Sequence, residues 1–285
     1  MSERIVICPN PYRDEGFEQT IKVYKALSAA GIASEAYPLF MDHKTPRIHH
    51  LEKVVPLTEN LAPAKLLIAI GGDGTVLHLA RRCMYDKIPV IGMNLGDKGF
   101  LAELESDAME QLIEACRGRF WKSHRMMLDV KLKRDGKIIY EDTALNDVVL
   151  KSVHNCIKVT TKICGQVASQ FTGDGIILST PTGSTGYSLS AGGPIVEPEA
   201  RNMIVTPLSA HLLSARAFVI SSKWPLSVTA ERVRGRPTVI SVDGNEAIDF
   251  YRGDELLVTQ SQQETIIADL RLRPFYERTL DILSQ

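Results

Sequence analysis

Residues 66–77 read Leu-Leu-Ile-Ala-Ile-Gly-Gly-Asp-Gly-Thr-Val-Leu, and the reading of this stretch decides the fold. The apolar run Leu66 to Ile70 is the length of a buried strand. Val76, Leu77, Leu79, Ala80 and Cys83 then recur at helical spacing. A strand that turns through three glycines into a helix is the ligand-binding corner of an α/β sheet. The glycines remove Cβ atoms, so backbone can approach a phosphate chain, while the helix start supplies free N–H groups and a positive dipole end. Asp73 is the odd member, because a carboxylate beside phosphates repels them. Two readings fit it: a functional group that is screened by a metal ion or takes up a proton, or an N-cap of the following helix.

Working outward, Arg4 to Cys8 is a short β-rich run, and Phe17, Ile21, Tyr24 and Ser28 follow at helical spacing until Gly31, a natural C′ residue. A third strand signal lies at Ile88 to Gly92. Ser106 is expected to N-cap a helix through Met109, Leu112 and Ile113 that Gly118 closes. Strand and helix in alternation imply crossovers and a parallel sheet, ending near Phe120. From Arg125 the texture changes, because Val130, Leu132, Ile138 and Tyr140 flank Asp135-Gly136, a two-residue hairpin turn. Strand signals then recur at 156–163, 176–179, 217–221, 226–230, 238–242, 255–259 and 265–268. That frequency implies an all-β, sandwich-like domain. The expected organisation is an α/β domain over residues 1–120, a β-rich domain over 121–270, and a tail over 271–285 that returns to the first domain as a helix.

The 285 residues suffice for about two domains, and 44% hydrophobic with 24% charged residues argues against disordered, collagen-like and coiled-coil chains. A formal net charge of −1 with no Lys/Arg block argues against a grip on nucleic acid or on an anionic membrane. No apolar run approaches the ~20 residues that span a bilayer, and Met1-Ser2-Glu3-Arg4 has none of the features of a signal peptide. The 5 cysteines form no Cys-x-x-Cys pair, and their odd count suits a reducing compartment, so they are expected to be packing residues in a cytoplasmic protein.

A second constellation runs from Thr172-Gly173-Asp174-Gly175 through an apolar strand into Thr180-Pro181-Thr182-Gly183-Ser184-Thr185-Gly186-Tyr187-Ser188-Leu189-Ser190-Ala191-Gly192-Gly193-Pro194. Hydroxyls and amides at this density can bind phosphates, sugar hydroxyls or a base edge, and Tyr187 can offer a ring face to a flat heterocycle; a plain loop is the alternative. Asn146-Asp147 interrupts an apolar segment, either to bridge the two hydroxyls of a ribose or as a bulge at a strand end. Asp243-Gly244-Asn245 is the weaker signal, since Asp-Gly is a standard hairpin turn. His78 lies one turn past the glycine corner, where it touches ligand or simply covers the helix. His43, His49 and His50 match no zinc spacing, and no metal site is expected. The sequence lacks a P-loop, a Gly-x-Gly-x-x-Gly fingerprint after a strand and a Gly-x-Ser-x-Gly elbow.

Together, Gly71-Gly72-Asp73-Gly74-Thr75, Ala144-Leu145-Asn146-Asp147-Val148-Val149, Thr172-Gly173-Asp174-Gly175 and the Thr180 to Pro194 loop resemble the NAD kinase family in order, spacing and length over nearly the whole chain. The first element is shared with diacylglycerol and sphingosine kinases and, more loosely, with 6-phosphofructokinases; the long loop is more particular to NAD kinases. The resemblance implies a Rossmann-like α/β domain of the phosphofructokinase and diacylglycerol kinase kind, followed by a β-rich domain. It also implies assembly into homodimers or homotetramers, and transfer of the γ-phosphate of ATP, with Mg²⁺ or another divalent cation, to the adenosine ribose 2′-hydroxyl of NAD. Carried over by position, Asp73 is the catalytic base, with Gly74, His78 and Phe100 beside the ligand. Asn146, Asp147, Asp174, Thr182, Thr185, Gly186, Tyr187, Ser188, Ser190 and Asn245 then bind the dinucleotide. Two positions depart from many relatives, which have Glu at 147 and Ala at 186. A lipid kinase sharing the glycine corner and a non-catalytic dinucleotide sensor are the alternative readings.

Overall fold

In the computed structural model, which describes residues 4–39, 64–96, 99–154, 156–211, 215–231 and 238–284, the chain divides into two compact units. The first comprises Met1–His124 with Thr265–Gln285, and the second Arg125–Glu264. His43, His49 and His50 lie outside the described residues.

The first unit runs β1 (Arg4–Pro9), α1 (Glu18–Ala29), β2 (Ser34–Ala36), β3 (Ala64–Gly71), α2 (Asp73–Arg82), β4 (Val90–Asn94) and α3 (Met109–Cys116). The strands lie parallel in the order β2-β1-β3-β4, as the alternation of strand and helix requires. Helices α1 and α3, with Phe17 just ahead of α1, bury Phe17, Val23, Leu27, Leu112 and Ala115 against Ile5, Ile7, Leu66, Ile68 and Ile70. The buried Asp14 carboxylate fixes the start of α1 by accepting the N–H groups of Gln19 and Thr20, both at 2.9 Å. Helix α3 departs from expectation at its start. Its N-cap is Ala108, with no side-chain cap; Ser106 lies two residues further out, where its carbonyl accepts Gln19 Nε2 at 2.5 Å.

The second unit is built of β5 (Trp121–Arg134), β6 (Lys137–Ala144), β7 (Asp147–Ser152), β8 (Ile157–Ile163), β9 (Gln166–Gly173), β10 (Gly175–Ser179), the short helix α4 (Tyr187–Ser190), β11 (Asn202–Leu208), β12 (Phe218–Ser221), β13 (Leu226–Glu231), β14 (Thr238–Val242), β15 (Ile248–Asp249) and β16 (Glu255–Asp269). The first residues of β5 and the last of β16 belong to the other unit. One sheet has the order β12-β11-β10-β7-β14-β15, all antiparallel; β16-β13-β8-β9 and the β5–β6 hairpin face it across a single apolar core. Val148 and Leu150, Ile176 and Leu178, and Met203 and Val205 alternate into that core with period two. Asp135-Gly136 and Asp243-Gly244 both have two successive positive φ angles, 48° and 78°, then 48° and 74°, as type I′ hairpins require.

Strand β16 corrects the expectation of two strands, at 255–259 and 265–268, because it is one 15-residue element. Its polar middle looks like a break but has partners: Ser222 Oγ donates to Gln260 Oε1 at 2.6 Å, and Arg201 pairs with Glu264 at 3.1 Å. The end of β16 leaves the second unit's core and extends the parallel sheet of the first, Ile267 pairing with Val90 beside β4. Helix α5 (Phe275–Leu283) follows it. No described helix is long and apolar enough to cross a membrane.

Candidate active site

In the first unit, β3 ends at Gly71, Gly72 is the N-cap of α2, and Asp73 opens the helix. Gly71 is obligatory for packing, since a Cβ there would collide with the Thr75 side chain. Thr75 Oγ1 accepts the Asn10 side-chain amide at 3.2 Å, tying the corner to the end of β1. Gly72 and Gly74 are bare for a different reason. A Cβ on Gly74 would meet nothing within 4 Å, and one on Gly72 only the Asn94 amide at 4.0 Å, so their backbone faces open space. Beside Gly72 lies a cavity of about 210 Å³ walled by Arg13, Gly71, Gly72, Asp73, Asn94 and Gly99, among others. Exposed backbone at a helix start, with a guanidinium opposite, is a site for an anion.

Asp73 does not cap its own helix, which removes the simpler of the two readings of this residue. Its carboxylate instead accepts three backbone N–H groups from a distant segment, Phe100 at 2.7 Å on Oδ2, then Leu101 and Ala102, both at 2.9 Å on Oδ1. Asp73, Gly74 and Phe100 are thereby brought together. Gly99 must be glycine for the same reason, because a Cβ there would fall inside the Asp73 carboxylate. Asp73 is half-buried, and its Oδ2 retains acceptor capacity after one hydrogen bond. His78 follows on α2, half-buried, its imidazole held below the ordinary histidine range by burial and then by the charges of Arg82 and Arg81.

In the second unit, the Asn146-Asp147 turn and the Thr180–Ser190 loop form one packed assembly. Thr180 donates its N–H to the Asn146 carbonyl at 2.9 Å and its hydroxyl to the Leu145 carbonyl at 2.5 Å. Gly183 then lies so close that a Cβ would strike the Asn146 carbonyl. At Gly186, by contrast, a Cβ would sit 3.4 Å from the Gly183 carbonyl, so an alanine would fit with ordinary contacts. Asn146 Oδ1 and Thr182 Oγ1 are buried without a hydrogen-bond partner, an arrangement that costs free energy unless something supplies a donor. Asp147 is buried, and burial together with the neighbouring Asp243 charge pushes its carboxyl up to about 7.

The other expected residues are more dispersed. Tyr187 and Ser190 are exposed on α4, and Thr185 Oγ1 donates to the Thr182 carbonyl at 3.2 Å. Ser188 is buried, with its hydroxyl bonded to Thr206 at 2.8 Å, so its place is in the scaffold of the loop. Asp174 is exposed at the β9–β10 turn, 3.6 Å from the Cys156 thiol, which is itself 3.1 Å from His211 Nε2. Asn245 is exposed just beyond the Asp243-Gly244 turn.

The residue that sequence reading undervalued is Asp243. Besides making its turn, its carboxylate accepts the N–H groups of Leu145, Asn146 and Asp147 at 2.7, 2.8 and 2.9 Å. It thus builds the backbone from which Asn146 and Asp147 project. Its pairing with residues almost a hundred positions away leaves no local trace beyond the Asp-Gly turn.

Comparison with known proteins follows this geometry closely. Residues 5–119 match the ATP-NAD kinase N-terminal domain, and residues 145–270 the ATP-NAD kinase C-terminal domain. The chain belongs to the NAD kinase family. The NAD kinase of Natranaerobius thermophilus is 36% identical over 95% of this chain and 94% of that protein, and the NAD kinase of Acetivibrio thermocellus is 32% identical over 96% and 94%. Among solved structures, yeast NADH kinase complexed with NADH superposes with a TM-score of 0.81 at 25% identity, covering 99% of this chain and 87% of that one. An Archaeoglobus fulgidus NAD kinase in complex with ATP shares the fold, with a TM-score of 0.71 at 21% identity over 99% and 97% of the two chains. NAD kinases take ATP and NAD as substrates, so an anion-binding corner and a loop rich in hydrogen-bonding groups are what the family's chemistry calls for.

Proposed function

We propose that the chain transfers the γ-phosphate of ATP to the 2′-hydroxyl of the adenosine ribose of NAD, with Asp73 as the base. The observation that carries this is the Asp73 carboxylate, held by three backbone N–H groups at the edge of a cavity whose other wall is bare glycine backbone. In a loose phosphoryl-transfer transition state the nucleophile needs little activation, so a fixed acceptor that takes the hydroxyl proton late is sufficient. Amides of the glycine corner and the Arg13 guanidinium are placed to offset charge on the transferring group.

We assign Gly74, His78 and Phe100 to ligand contact beside Asp73. Asn146 and Asp147 are assigned to the ribose and amide groups of NAD, in keeping with the unpartnered Asn146 Oδ1. Asp174, Thr182, Thr185, Gly186, Tyr187, Ser188, Ser190 and Asn245 contribute to the dinucleotide site directly or by shaping its loop. Mg²⁺ or another divalent cation enters as part of the ATP substrate; among the described residues no group of three or more His, Cys, Asp or Glu is arranged to hold a metal. A cytoplasmic homodimer or homotetramer, without nucleic-acid or membrane partners, completes the proposal.

The direct test incubates the protein with ATP, Mg²⁺ and NAD and reads NADP with an NADP-specific dehydrogenase. NADP formation is expected. Dinucleotide binding without product would favour a sensor, and phosphorylated diacylglycerol a lipid kinase.

Asp147 adds a pH-dependent prediction. Its carboxyl is raised from 3.8 to about 7 in the folded chain, so the folded state holds the proton more tightly than the unfolded state. The resulting contribution to stability is fully present below pH 3.8, declines as pH rises, and is lost above about 7. Urea unfolding across this window should show wild type losing stability relative to Asp147→Asn by about 1.4 kcal/mol per pH unit at most. The ionised carboxylate is also the better acceptor for two ribose hydroxyls, so KM for NAD should fall between pH 6 and 8 in wild type and stay flat in the variant. Parallel pH profiles in both proteins would contradict this.

A further inference from the structure

A second cavity, of about 620 Å³, is distinct from the one beside the glycine corner. It lies within the first unit, between the segment 99–111 and helix α5, and its size is that of a small-molecule site. Ala102, Ala108, Met109, Leu272 and Ile282 give it apolar surface. Its charges are unevenly distributed. Arg278 is paired with the buried Glu103 at 3.6 Å, and Arg273 with Asp281 at 2.5 Å, so both guanidiniums in the wall are already neutralised. Glu105, Asp107 and Glu110 remain, exposed at the mouth and with no counter-ion among the described residues. An apolar chamber behind three carboxylates repels nucleotides and other anions and favours a molecule that couples an apolar body to a protonated amine.

The second observation concerns the wall. Gly99 lines both this cavity and the smaller one around Asp73. Ala102, which also lines the larger cavity, donates its N–H to Asp73 Oδ1, and the intervening Phe100 and Leu101 supply the other two donors. The next residue, Glu103, is gripped by Arg278 of α5 and accepts the Leu270 N–H at 3.0 Å. One short segment therefore separates the two spaces and orients the carboxylate in one of them. Gly99 packs so tightly on Asp73 that no side chain fits between, and a shift of this segment must move the carboxylate.

We propose that this cavity is a regulatory site for a small amphipathic cation, an aromatic or aliphatic body carrying one protonated amine, whose occupancy changes turnover through the shared 99–102 wall. The regulatory half rests on Asp73 being the base; the binding half does not. By linkage, a ligand that alters the position of this wall alters whatever depends on it, and the effect is reciprocal in binding.

The test uses dansylcadaverine, an aromatic sulfonamide ending in an ammonium group, and its matched anion, 6-(dansylamino)hexanoate, each titrated by fluorescence against the full chain. Dansylcadaverine should bind at least tenfold more tightly than the anion. A variant carrying Glu105→Gln, Asp107→Asn and Glu110→Gln should lose at least tenfold of that affinity while retaining its basal kcat, and Ala108→Trp, which puts an indole into the chamber, should weaken binding at least tenfold. Saturating dansylcadaverine should change kcat at least twofold with KM for NAD unchanged. Equal binding of the two dyes, unchanged binding by the triple variant, or displacement of the dye by NAD or ATP would overturn the site. Specific binding with unaltered kcat would overturn the coupling. A chain that bound the dye but formed no NADP would refute the kinase assignment and leave the cation site standing, so the two failures are distinguishable.

Discussion

Asp73→Asn should lower kcat by roughly 10²- to 10⁴-fold while KM for NAD stays within a few-fold of wild type. The expectation follows from what the amide keeps and what it loses. Its oxygen can still accept the Leu101 and Ala102 N–H groups that Oδ1 accepts now, so the segment remains near its place. The amide nitrogen, however, would face the Phe100 N–H, donor against donor, where Oδ2 now accepts at 2.7 Å. One charge-assisted hydrogen bond is lost, a cost of about 1.5–3 kcal/mol in stability. More consequentially, no atom is left to receive the ribose proton. Steady-state kinetics beside a urea melt separates the two effects. A deep loss of kcat with a modest loss of stability identifies the base, whereas near-normal kcat would reduce Asp73 to a clamp for residues 100–102.

Asp243→Ala should be the most damaging change in the second unit, destabilising the chain by more than about 2 kcal/mol and raising KM for NAD by roughly tenfold or more. Three backbone N–H groups, those of Leu145, Asn146 and Asp147, would lose a charged acceptor together. Asp243 also has a φ of 48°, which asparagine and aspartate tolerate better than alanine does. Asp243→Asn should therefore be milder, because it keeps one oxygen and the backbone angle. A further consequence distinguishes this account from simple loss of stability. Removing the Asp243 charge lets the Asp147 carboxyl fall back toward the ordinary carboxylate range, so the pH response of NAD binding should move to lower pH in Asp243→Asn. Unchanged KM in both variants would separate the 145–147 turn from the dinucleotide.

What could be read from the sequence and what could not differ in physical range. The glycine corner was legible because its requirements are local: a strand end, a helix start and missing Cβ atoms lie within a few residues. The type I′ turn at Asp135-Gly136 was legible on the same grounds. The partners of Asp73 were not, since its carboxylate reaches residues 100–102, where only backbone N–H groups take part and the side chains carry no signal. Asp243 was hidden by its own turn, which already explained an Asp-Gly pair. At Ser106 the helix starts two residues later than the cap signal implied, with Gln19 holding the Ser106 backbone, and in β16 the run Gln260 to Glu264 resembled a loop until its cross-strand partners were known. In each case the missing information is long-range pairing, which propensity and periodicity do not encode.

The course of β16 bears on how the chain matures. The second unit is continuous in sequence, whereas the parallel sheet of the first lacks its outermost strand until residues 265–269 have been made. Until then Leu104 covers the Gly92–Asn94 end of β4, but the Val90 end lacks its neighbour and exposes unpaired backbone, the kind of surface on which nascent chains associate wrongly. During synthesis the later-encoded unit can therefore settle first, while the Asp73 half waits for the final segment of the polypeptide to close it. Truncation near the C-terminus should accordingly produce insoluble protein well before it touches any residue that meets substrate.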